Sequence, residues 1–181
     1  MLHRLVLPAA FAVAALGVVT QAAAWEPEIG SVAKEITTFE YLDGSSVSLE
    51  ALRGKPLMLY FGADWCPPCQ KARPVMFKVA NQFKEQGLHT IMFSNDDNRL
   101  RDLKRAESAQ NQTPIAMPRL DLCAPGKCHS GYRDLGDFGR FYKLPTAILI
   151  DRNGVVRAKI DRGSGVTDNL ERMVTQFMAQ Q

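Results

Sequence analysis

The chain changes its period abruptly between Leu57 and Phe83, and a cysteine pair stands at the change. Leu57 to Gly62 reads LMLYFG, a continuous apolar run short enough to be a buried strand. From Cys69 onward the pattern turns helical. Val75, Val79 and Phe83 recur every fourth residue as one apolar stripe, and Gly87 supplies a C-terminal stop. Ala63-Asp64-Trp65-Cys66-Pro67-Pro68-Cys69 lies between the two patterns. A buried strand that feeds directly into an amphipathic helix leaves few architectures open, all of them built on a sheet covered by helices.

The rest of the chain extends this order. In the segment from Ser31 to Pro56, Asp43-Gly44 marks a turn between short strand-like runs. Leu88 to Phe93 is a second buried strand. Asn95 to Gln112 is polar, with Leu100 and Leu103 as its large apolar residues, and reads as a loop into an exposed helix. Pro145 to Ile150 predicts a third strand, Asp151-Arg152-Asn153-Gly154 a hairpin turn, and Val155 to Ile160 the return strand. Thr167 is suited to cap a last helix, with Asp168 and Glu171 in its first turn and Leu170, Val174 and Phe177 along its apolar side. The implied class is α/β, with a mixed sheet flanked by helices.

The start of the chain reads as an export signal. His3 and Arg4 precede an apolar stretch from Leu5 to Val19, and Ala22-Ala23-Ala24 offers a small-residue cleavage site. The stretch is short for a membrane-spanning helix, which needs about 20 residues. Cleavage after Ala24 leaves residues 25–181 as a single domain with no stable membrane insertion; an uncleaved anchor is the alternative. The formal charge of +3, or +2 without Arg4, is spread among acids, too weak to argue for a nucleic-acid partner, and none is expected. In an oxidising compartment the four cysteines favour disulfides, and proximity pairs Cys66 with Cys69 and Cys123 with Cys128.

Cys66 falls at the amino end of the predicted helix, where free N–H groups and the helix dipole favour an anion. Its thiol pKa is therefore expected below the free value of about 8.5. Cys69, one turn further, can attack a mixed disulfide at Cys66. Pro67 and Pro68 suit a first helical turn, whose N–H groups lack helical partners in any case. Cys66 is assigned as nucleophile and Cys69 as resolving thiol. An inert structural disulfide, half of a zinc site and an inactive redox fold are the competing readings.

The ADWCPPC motif, Pro74 after it and the later LPTAILIDRNGVV together resemble the thioredoxin superfamily. With the leading FEYLDGSSVSLEALRGKPLMLYFG, the chain is similar to the exported TlpA/ResA group of thiol–disulfide oxidoreductases. The resemblance implies a thioredoxin fold with an N-terminal β extension. It makes Cys66 the exposed attacking sulfur, Cys69 its buried partner and Trp65 the aromatic that shields the site. It also implies a cis bond before Pro145, placing Leu144 backbone beside the sulfurs to pair with an incoming peptide. Two positions depart from the pattern. Tyr60 stands where thioredoxins carry a buried acid, and Ala72 where ResA-type reductases often carry a glutamate. Asp64 is read as exposed.

The second pair, in CAPGKCH from Cys123 to His129, reads as an insertion, since 75 residues separate Cys69 from Pro145. The simplest reading is a disulfide that staples a loop. A second redox pair, a haem attachment site, and metal or copper binding by Cys123, Cys128 and His129 are alternatives. No cofactor or resident metal is expected. The expected function is reduction of disulfides in exported proteins, with a membrane electron donor of the thiol-reductase type and an apocytochrome c or copper-site protein as client. An oxidase or isomerase, or a copper or haem chaperone of the same fold, are the alternatives.

Overall fold

The computed structural model describes residues 27–122, 135–139, 143–161 and 165–181. The expected signal segment, Cys123, Cys128 and His129 lie outside the described residues. In chain order the elements are β1 (Phe39–Tyr41), β2 (Leu57–Gly62), α1 (Pro67–Lys84), β3 (His89–Ser94), α2 (Arg101–Asn111), β4 (Ile115–Pro118), β5 (Thr146–Ile150), β6 (Val156–Asp161) and α3 (Val166–Met178). They build one mixed six-stranded sheet in the order β1-β4-β3-β2-β5-β6. β2, β3 and β4 run parallel, while β5 pairs antiparallel with β2 and with β6. β1 adds antiparallel to β4, with Phe39 opposite Pro118, so the segment ahead of β2 extends the sheet edge.

β2 is buried along its whole length because both faces of the sheet are covered. Alternate residues point to opposite faces. Met58 and Tyr60, with Met92 and Leu149 from the neighbouring strands, meet Met76, Val79 and Phe83 of α1 and Leu170, Val174 and Phe177 of α3. Leu57, Leu59 and Phe61 face the other way, against Ile36, Val47 and Phe138. On that face the Phe61 and Phe93 rings stack with centroids 4.8 Å apart, and Phe39 meets Phe93 edge-on.

Gly87 ends α1 as its position implies. At φ +93° its N–H bonds the carbonyl of Lys84 at 2.9 Å, and the Leu88 N–H reaches back to Phe83 at 3.1 Å. That pattern satisfies carbonyls the helix end would otherwise leave open.

The last helix starts differently from expectation. Its N-cap is Gly165, in a left-handed conformation with no side-chain cap bond, and Thr167 lies inside the first turn. β4 carries little strand signal in the sequence, because Ile115-Ala116-Met117-Pro118 is short and ends in proline. The helix expected to be exposed also differs: Arg101 and Lys104 of α2 are buried, while Leu103 is 57% exposed. The cause is the set of carboxylates and carbonyls that meet these two cations, from parts of the chain far away in sequence.

Candidate active site

The turn from β2 into α1 carries the cysteines. Cys66 is the N-cap of α1, in extended geometry, with Pro67 and Pro68 opening the helix. It is bonded to Cys69, with Cα atoms 5.2 Å apart. Its sulfur accepts the Cys69 backbone N–H at 3.3 Å, and its carbonyl accepts the N–H groups of Cys69 and Gln70. A sulfur in this position faces donors that the first helical turn cannot use internally, at the positive end of the helix dipole. In this disulfide form Cys66 is largely covered rather than exposed. It retains 5% of its surface, against none for Cys69, so any access to the pair is through Cys66.

The segment entering β5 closes over the pair. The Leu144–Pro145 bond is cis, and Leu144 packs against the small cluster formed by Ala63, Cys66 and Cys69. The Thr146 hydroxyl donates to the Lys143 carbonyl at 2.7 Å, which ties this approach to the strand that follows. Trp65 is 46% exposed beside Cys66, its indole N–H held by the Asn95 carbonyl at 3.0 Å. Behind Cys69, Tyr60 is fully buried and its hydroxyl makes a long contact, 3.4 Å, to the Cys69 carbonyl. Burial drives the phenol pKa strongly upward, so Tyr60 is a neutral group at physiological pH. Ala72 is buried as well.

Asp64 is not the exposed residue its sequence position suggests. Its side chain is 28% exposed and pairs with Lys104 at 2.7 Å and with Arg73. Burial pushes its pKa up, but the hydrogen bond and charge of Lys104, with the charge of Arg73, outweigh this and hold the carboxyl below its usual range. Glu107 pairs with the same two cations, at 2.8 Å from Lys104 and 3.2 Å from Arg73. Arg73, Asp64, Lys104 and Glu107 thus form a closed ring of alternating charge. Asp96 adds a third carboxylate 3.6 Å from Lys104 and accepts the Asp64 backbone N–H at 2.8 Å. Sequence reading missed this cluster. Only the Lys104–Glu107 spacing on one helix hints at it; Arg73, Asp64 and Asp96 come from other elements. Among the described residues no group of three or more His, Cys, Asp or Glu side chains is arranged to hold a metal ion.

A two-cysteine disulfide at a helix N-terminus, beside a cis-proline at the head of an antiparallel strand, defines a thioredoxin-fold redox site. The profile of the AhpC/TSA family matches residues 29–159. The chain is 32% identical over 139 residues to the thiol-disulfide oxidoreductase ResA of Halalkalibacterium halodurans, covering 77% of this chain and 69% of that one. Among solved structures it is similar to the thioredoxin domain of a thiol-disulfide oxidoreductase from Bacteroides vulgatus. That match has a TM-score of 0.59 and 29% identity, covering 83% of this chain and 98% of the other. A thiol:disulfide interchange protein from a Bacteroides species gives a TM-score of 0.58 at 29% identity, over 84% and 91% of the two chains. The chain belongs to the AhpC/TSA family and is a thioredoxin-like thiol–disulfide oxidoreductase.

Proposed function

We propose that this protein is an exported reductant of disulfides in other exported proteins, with Cys66 as nucleophile and Cys69 as resolving thiol. The supporting observation is the place of the Cys66 sulfur, at the N-cap of α1 with the Cys69 N–H directed at it and Leu144 packed beside it. In the reduced protein the Cys66 thiolate attacks one sulfur of a client disulfide. A mixed disulfide forms and one client thiolate leaves. Cys69, as thiolate, then attacks Cys66, the second client thiol departs, and the Cys66–Cys69 disulfide carries away the two-electron oxidation. Return to the dithiol needs a reductant, here assigned to a membrane donor of the thiol-reductase type. Trp65, Leu144 and Pro145 form the surface an incoming peptide meets, and Pro67 and Pro68 hold the loop stiff. Export rests on the leader ending at Ala24; an apocytochrome c or a copper-site protein is the proposed client.

The test is an insulin-reduction assay on the wild type, Cys66→Ser and Cys69→Ser. Activity should vanish in the first variant, and the second should accumulate a mixed disulfide through Cys66. Activity that survives Cys66→Ser removes the assignment. Equilibration with glutathione gives the direction: a potential near about −270 mV marks a reductant, and one near about −120 mV an oxidant. N-terminal sequencing of protein from a cell-envelope fraction should begin at Trp25.

A further inference from the structure

Every polar group of Asp64, two residues before Cys66, is held from outside the turn. Its N–H is taken by Asp96 at 2.8 Å, its carbonyl by the Gln70 amide, and its carboxylate by Lys104 and Arg73. Lys104 is the hub. Its side chain is wholly buried, with Asp64, Glu107 and Asp96 around it at 2.7, 2.8 and 3.6 Å. Arg73 closes the ring from α1, and Tyr60 faces it from β2 as a neutral phenol. Two cations therefore stand against three carboxylates immediately beside the redox turn. Stability alone is a poor reason for such a cluster, because exchanging a buried ion network for apolar side chains is often neutral or stabilising. Its position is the better reason, since fixed charge next to a thiol biases which form of that thiol predominates.

We propose that Lys104 is a positioning residue that, through its ring with Asp64, Arg73 and Glu107, sets the charge felt by the Cys66 sulfur and so tunes how readily the dithiol forms. The inference rests on the reading of Cys66 as the attacking thiol. Lys104 donates positive charge that favours the thiolate; Glu107 supplies negative charge that disfavours it. Removing one or the other must therefore move Cys66 in opposite directions. A purely structural role would weaken the fold in both variants without this change of sign.

The experiment measures iodoacetamide alkylation of Cys66 across pH in a Cys69→Ser background, read on the Cys66 peptide by mass spectrometry so that Cys123 and Cys128 do not interfere. One unit charge at ~10 Å and an effective dielectric constant of about 30–40 changes an ionisation equilibrium about fivefold. Below the thiol pKa, Lys104→Met should slow alkylation by about that factor. Glu107→Gln should accelerate it, and Lys104→Arg should stay close to the parent. In proteins that keep Cys69, the disulfide of Lys104→Met should be harder to reduce by glutathione and that of Glu107→Gln easier. Should Lys104→Met fail to fold, Glu107→Gln and Lys104→Arg carry the test. Rates unchanged in Glu107→Gln, or shifts of the same sign in both charge-removing variants, overturn the inference. If the parent Cys66 reacts no faster than a cysteine in unfolded chain, the assignment of the nucleophile fails first, and the inference falls with it.

Discussion

The β5–β6 turn offers the sharpest quantitative test, because one carboxylate holds it. Asp151 Oδ1 accepts the N–H groups of Asn153 and Val155, each at 2.9 Å, while Oδ2 takes Arg157 at 2.7 Å. The residue is 7% exposed. Asp151→Asn keeps an oxygen for the two backbone donors and loses the charge. Asp151→Ala loses everything. Hydrogen bonds to charged groups contribute about 1.5–3 kcal/mol each, but Arg157 is half exposed and its share must be discounted towards a surface pair. The expected losses are about 1–2 kcal/mol for Asp151→Asn and about 2–4 kcal/mol for Asp151→Ala. Burial raises the Asp151 pKa, but the Val155 N–H and Arg157 outweigh it and leave the pKa lowered. A lowered folded-state value means this stabilisation is complete above the unfolded pKa of about 3.9 and fades as pH falls through the lower folded value. Urea unfolding of both variants and wild type, at pH 7 and at successively lower pH, checks this. The gap between wild type and Asp151→Asn should close with acid. A gap that persists unchanged at the lowest pH, or an Asp151→Ala loss below about 1 kcal/mol, would refute the account.

Two further substitutions probe the same physics elsewhere. Tyr60→Phe removes a long 3.4 Å contact and a phenol that burial keeps neutral, so it should lower stability by less than about 1 kcal/mol and leave the pH profile of insulin reduction in place; a displaced profile would mean that Tyr60 handles a proton. Gly154→Ala places a methyl group on the site of the Arg53 guanidinium at φ +77°, so it should cost about 2 kcal/mol or more through backbone strain and loss of the Arg53 bond to the Asn153 carbonyl, measured as a lower urea midpoint.

The sequence is legible where local pattern and tertiary role agree. LMLYFG is a central strand because an unbroken apolar run of that length is stable only between two covered faces. Asp151 to Gly154 is a turn in which Gly154 supplies the positive φ of 77°, although the carboxylate that anchors it is a separate device. Cys66 at a helix N-terminus follows from the period change alone. What escapes is what depends on distant partners. On α2, Lys104 is buried and Leu103 exposed, the reverse of their polarities, because Asp64 and Asp96 approach from two other loops. No window of neighbouring residues contains that information. Thr167 fails for a simpler reason: Gly165 already bends the chain into the helix, two residues earlier than a threonine cap would.

Charge reaches the redox turn through one ring of side chains, Asp64, Lys104, Glu107 and Arg73. Ala72 and Tyr60 leave positions 72 and 60 without an ionised acid, while Ala63 and Leu144 pack against the pair. The ionised acid nearest in sequence is Asp64, two residues before Cys66, and its lowered pKa makes that carboxylate a weak proton acceptor. On the proposed assignment, then, the proton of Cys69 has a natural destination in the client. The thiolate expelled in the first attack is a base with a pKa of about 8.5, and it leaves as Cys69 must ionise. On that same assignment the resolving sulfur, packed with Ala63 and Leu144 and without an ionised acid at position 60 or 72, waits for the client to supply the base.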